Sequence, residues 1–160
     1  MIQALDSVLI QYTTSPRLLR WQWHGPVTDQ LVITAFDTLL KFARPRQPYY
    51  WLADVSNMSP IGTNAQQWLN ETWLPHFSRL RGTKLAIILP QNIHNQLVLE
   101  TILSNPRYGG TCDVQYFSDT ASALDWLVDG NDFCLAAIES EWSKAIETSG
   151  IVGRFNSSDF

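Results

Sequence analysis

Asp54, Ser56 and Asn57 close an apolar run that begins at Tyr49 (YYWLADVSN), and Thr63, Asn64, Gln66 and Gln67 follow after a short loop. A carboxylate, several hydroxyls and a group of amides at this spacing can support three kinds of chemistry. Asp54 and Ser56 have the types needed for a base and a nucleophile. Thr63, with Ser56 and Ser59 as weaker alternatives, can accept a phosphoryl group. The backbone N–H groups of Asn64, Ala65 and Gln66 can receive a phosphate or carboxylate where a helix begins.

The elements that position these groups follow from the pattern on either side. Residues 49–55 and 84–89 (KLAIIL) are short apolar runs bounded by Pro, Gly and Asn, as expected of strands covered on both sheet faces. Thr63-Asn64-Ala65-Gln66 has the spacing of a capping box, which opens a second helix in which the Thr63 hydroxyl and the Gln66 amide satisfy orphan backbone donors. Asp54, Ser56 and Asn57 then lie outside the carboxyl end of a central strand, where open α/β sheets hold ligands. The plainest role there is local, with Thr63 capping its helix and Asp54 bonding the loop. A phosphate on Thr63 would be drawn to the helix start and repelled by Asp54.

Other chemistry is poorly supplied. His24, His76 and His94 are far apart, and Cys112 and Cys134 have no histidine at ligand spacing, so no metal site, disulfide or cofactor is expected. No Gly-x-Ser-x-Gly elbow is present, and Gly109-Gly110 forms a turn without the Lys-Ser or Lys-Thr end of a phosphate loop. A receiver-type phosphorylation domain would need an acidic pair where Tyr12-Thr13 stand and a lysine where Ser118-Asp119 stand. No catalytic residues are assigned, and the chain is read as a non-enzyme. A net charge of −4 with scattered Lys and Arg argues against nucleic acid. No apolar run is long enough to span a membrane, and the start of the sequence has no basic region before an apolar stretch, so a cytoplasmic protein without membrane insertion is expected. A charged fraction of 16% with seven tryptophans leaves much apolar surface to bury or pair.

Along the chain, residues 7–12 and 17–23 alternate around the turn Thr13-Thr14-Ser15-Pro16 and predict an opening β-hairpin, with Leu19, Trp21 and Trp23 on one face and Arg20 and Gln22 on the other. Thr28 caps a first helix that should stop before Pro45. Pro75 should kink or restart the second helix. Residues 95–103 predict a third helix with Leu97, Val98 and Ile102 on one face, ended by Asn105-Pro106, and residues 113–117 predict a fifth strand. Asp119 caps a fourth helix with an Ala123, Leu124, Leu127, Val128 stripe and Gly130 as its stop. Trp68, Trp73 and Phe77 make the second helix aromatic. At about 100° per residue the two tryptophans point about 140° apart, so one should face away from the sheet as a partner contact.

Over residues 7–130 this order resembles the STAS domain, named for sulphate transporters and the anti-sigma-factor antagonists of bacteria. The segment WLADVSNMSPIGTNAQQWL is similar to the antagonists' pattern of an apolar strand, Asp-Leu-Ser, a short loop, and Asp-Ser-Ser-Gly-Leu at a helix start. In the antagonists a partner kinase phosphorylates the second of those serines, which ends partner binding. Here that position is Asn64, preceded by Thr63, with Gly62 in place of the acid and Ala65 in place of the glycine. The tryptophan pattern also looks like that of stand-alone, uncharacterised bacterial STAS-like proteins.

The expected fold is therefore α/β and STAS-like, with a mixed central sheet of about five strands, an opening β-hairpin and about four helices. Residues 1–130 form the domain, and 131–160 form a C-terminal extension with a short helix over 136–146 and a polar tail. The resemblance implies a regulatory, signalling module that binds a protein, itself as a homodimer included. Asp54, Ser56, Asn57, Thr63, Asn64, Gln66, Gln67, Trp68 and Trp73 are the binding candidates and Thr63 the candidate phosphoacceptor. The alternative is a module that takes an anionic or lipid-like small molecule in a crevice lined by Tyr49, Trp51, Asp54 and Trp68.

Overall fold

The computed structural model describes residues 1–80, 84–104, 112–129 and 132–150. The expected turn at Gly109-Gly110, the end at Asn105-Pro106, the helix stop at Gly130 and the tail at 156–159 lie outside these residues, as does the side chain of Cys134.

Alternating and apolar runs become strands where their side chains find two covered faces. Six of them form one mixed sheet in sequential order: β1 (Ile2–Ala4), β2 (Val8–Thr14), β3 (Arg17–Trp23), β4 (Tyr50–Asp54), β5 (Lys84–Ile88) and β6 (Asp113–Phe117). The first three pair antiparallel, and β3 to β6 run parallel. The predicted hairpin is β2–β3. The added strand β1 is a three-residue edge, Ile-Gln-Ala, too short to show a period in the sequence.

The parallel strands are joined by α1 (Asp29–Arg46), by a winding second helical segment, and by α4 (Ile93–Leu103). The second segment comprises α2 (Thr63–Trp68), a π-helical turn (Leu69–Trp73) and α3 (Leu74–Phe77), so the restart expected near Pro75 is preceded by a wider turn. Crossovers that advance in one direction along the sheet keep their helices on one face. Val32 and Leu39 of α1, Leu69, Leu74 and Val98 accordingly share one core with Trp21, Trp51, Ala53 and Ile87.

The alternate strand residues face the other layer. Leu18, Leu52, Ala86 and Ile88 pack under α5 (Thr120–Val128), whose buried stripe is the expected Ala123, Leu124, Leu127 and Val128, and beside Ile138 of α6 (Asp132–Ser149). Asp119 caps α5 through the Ser122 N–H at 2.8 Å, and these hydrogen bonds hold its carboxyl below the usual range. The left-handed residue that ends α5 is Asp129.

The described part of the extension is thus one helix, α6, and it covers polar ground. Gln11 donates through Nε2 to the Ile138 carbonyl at 2.9 Å, and buried Arg20 pairs with Glu139 while lying 4.1 Å from the Trp142 ring centre. Burial pulls the Arg20 guanidinium below its usual value, and Glu139 works against that shift.

Two details of the helices depart from expectation. Pro45 lies inside α1, in the last turn, where its ring removes a single ladder bond; Gln47, left-handed, then closes the helix through the Ala43 carbonyl at 2.8 Å. Leu97 is not on the inward face of α4, which is built from Asn95, Val98 and Ile102.

Candidate functional site

The loop after β4 is held by its own side chains first. Asp54 Oδ1 accepts from the Ser56 N–H at 3.1 Å and the Ser56 hydroxyl at 2.6 Å, a local turn in which the acid serves the backbone. By strand alternation Asp54 stands on the face of Leu52, within electrostatic reach of Arg20, and not on the face of Trp51. The residues proposed for a common crevice are therefore separated. Trp51 is in the core under α1 and α4, Tyr49 is exposed beyond the opposite end of β4, and Trp68 packs half-buried against the first core.

The start of α2 is capped from outside. Gly62 occupies the cap position and supplies no side chain, so Thr63 is already the first helical residue and the reciprocal Thr63–Gln66 bond does not form. Asp29, in the first turn of α1, accepts from the Ala65 N–H at 3.3 Å instead. One carboxylate thus sits at two helix starts, favoured by the positive end of each dipole. A Cβ on Gly62 would lie 2.5 Å from Asp29 Oδ1, so any side chain there would displace the carboxylate. Gln66 turns its amide back to the Ile61 carbonyl at 2.8 Å. Thr63 is exposed, and its hydroxyl makes no hydrogen bond to the described residues.

The loop is clamped again from α4, by residues whose role the sequence pattern did not single out. Asn95, only 2% exposed, accepts the Ile61 N–H at 2.9 Å and donates to the Met58 and Ser59 carbonyls at 3.1 and 2.9 Å. Asn92 caps α4 through the Asn95 N–H at 2.8 Å and donates to Met58 O at 2.9 Å. His94 Nε2 lies 2.9 Å from Ile61 O and 3.1 Å from Gln66 Nε2, so it donates to the carbonyl or accepts from the amide according to its tautomer. The signal in the sequence is the pair Asn92 and Asn95, three apart at a helix start and facing a loop with many backbone groups to satisfy.

Between the second helical segment and α4 runs an open groove of about 420 Å³, walled by Thr63, Gln66, Gln67 and Glu71 on one side and His94 and Leu97 on the other. Asn57 and Asn64 are exposed but do not line it. Trp73 does not join this surface. Its ring stacks on Phe77 at 4.7 Å, meets Phe36 edge-on at 5.2 Å, and its Nε1–H donates to the Phe36 carbonyl at 2.9 Å. Trp68 also packs against the first core, because the intervening π turn, with its i→i+5 bonding, underwinds the helix and brings both indoles to one side.

Among the described residues no three or more His, Cys, Asp or Glu gather as a metal site, and no described helix is long and apolar enough to cross a membrane. The Cys112 thiol is pushed up to about 11 by burial and by Asp113, which keeps it protonated and unreactive at neutral pH.

Sheet order, opening hairpin and helix layers define an α/β domain of the SpoIIAA-like, or STAS-like, kind. Among solved structures the chain is similar to an uncharacterised protein of the DUF3478 family with a SpoIIAA-like fold from Shewanella loihica PV-4, at 21% identity over 79% of this chain and 98% of that one, with a TM-score of 0.53. That likeness shows the fold. No protein-family model and no curated protein matches the sequence.

Proposed function

We propose that the chain is a non-enzymatic regulatory domain that binds a protein partner, a second copy included, through the face formed by the 57–62 loop, α2 and α4. One observation carries this reading. Ile93 and Leu97, a helical turn apart on α4, are 72% and 58% exposed, and Leu97 lines the groove whose other wall is Thr63, Gln66 and Gln67. An apolar pair rimmed by amides and a carboxylate has the make-up of a protein interface. The loop behind it is fixed by Asn95, so little ordering is needed on binding.

Thr63 is the regulatory position in this reading. A phosphate there would compete with Asp29 for the N–H groups of α2 and repel it, which loosens the joint between α1 and α2 and adds charge to the groove. Thr63→Glu is expected to weaken partner binding about tenfold and to lower the melting temperature by roughly 2–4 °C, while Thr63→Ala binds as the wild type does. Calorimetric titration of the partner into the three chains measures this. Equal affinity for Thr63→Glu and wild type would remove the regulatory role of Thr63.

A further inference from the structure

Between the sheet and the helices of the first face lies a partly open cavity of about 80 Å³. Its walls include Trp21, Trp51, Ala53, Leu69, Trp73 and Val98. Protein interiors are close-packed, and voids well above the size of one water are few. This one coincides with two further irregularities. Trp51 is 1% exposed, and its Nε1–H has no hydrogen-bond acceptor among the described residues, which costs about 1–3 kcal/mol for a buried donor. Leu69 and Trp73 belong to the π-helical turn, a rare winding that recurs at functional sites.

Water is a poor occupant, because a buried water needs two to four polar partners and the walls are almost wholly apolar. An apolar body fits the walls, and one acceptor satisfies the indole. We infer that this cavity is a binding site for a small apolar molecule carrying a single carbonyl-type acceptor, which takes a hydrogen bond from Trp51 Nε1–H. The volume is about half that of an engineered cavity that binds benzene, which limits a rigid occupant to roughly three or four heavy atoms. This site is separate from the groove on α4, and it stands or falls without a protein partner.

Acetone and its isostere isobutene, which lacks the acceptor, are suitable probes. In the 1H–15N spectrum of the wild type, acetone is expected to move the Trp51 indole N–H downfield, and the hydrocarbon is not. Trp51→Phe keeps a ring and loses the donor, and should reduce the preference for ketone over hydrocarbon about threefold to tenfold. Ala53→Val narrows the cavity and should abolish binding of both probes. An unmoved Trp51 signal in the wild type at saturating ketone, or a preference unchanged in Trp51→Phe, would overturn the inference. The wild-type spectrum decides it even where the variants unfold.

Discussion

Replacing Asn95 by alanine is expected to lower the unfolding free energy by about 3 kcal/mol and the melting temperature by roughly 10 °C. The side chain is buried and makes three hydrogen bonds to the backbone of a loop that has no regular partner of its own. Alanine leaves the Ile61 N–H without its acceptor and the Met58 and Ser59 carbonyls without that donor. Asn92 also bonds Met58 and caps α4, but it is only half-buried, so water can replace much of what it supplies. Asn92→Ala should cost about 1 kcal/mol. Urea unfolding of both variants separates the two roles, and equal small losses would mean that Asn95 does not clamp the loop.

Trp73→Ala is expected to cost about 3 kcal/mol, near the low end for a core tryptophan because the ring is half-buried. The loss has three parts: the stack on Phe77, the edge contact with Phe36, and the bond from Nε1 to the Phe36 carbonyl. Together they tie the π turn to α1. Trp73→Phe keeps much of the ring contact and should lose about 1 kcal/mol. A substitution at Trp73 therefore disturbs the fold before it disturbs any association. Denaturant unfolding checks this, and a loss under 1 kcal/mol for Trp73→Ala would place the indole outside the core.

The parts of the fold legible in the sequence are those whose period and boundaries are local. The runs at Tyr50–Asp54 and Lys84–Ile88, the β2–β3 alternation and the Ala123 to Val128 stripe each carry their own signal. The site was less legible because its decisive contacts cross the chain. Asp29 caps a helix far along the sequence from its own, which the local Thr63-Asn64-Ala65-Gln66 spacing obscured. Asn95 sits in an otherwise apolar inward face of α4, where a polar residue reads as surface until the loop above it is seen. An unbroken α-helix would point Trp68 and Trp73 about 140° apart, and the π turn between them changes the winding. Arg20 and Gln11 lie on the polar side of the hairpin pattern, yet α6 buries both by bringing Glu139 and the Ile138 carbonyl to meet them.

The binding face is tested most directly by comparing what immobilised wild-type and Leu97→Asp chains retain from one extract of the source cells, with the untagged chain added. Leu97 is exposed, so the variant should melt within about 2 °C of the wild type. At least one protein, or the untagged chain itself, is expected on the wild type in near-stoichiometric amount and about tenfold less on Leu97→Asp. The same proteins in the same amounts on both chains would contradict the assignment of this face.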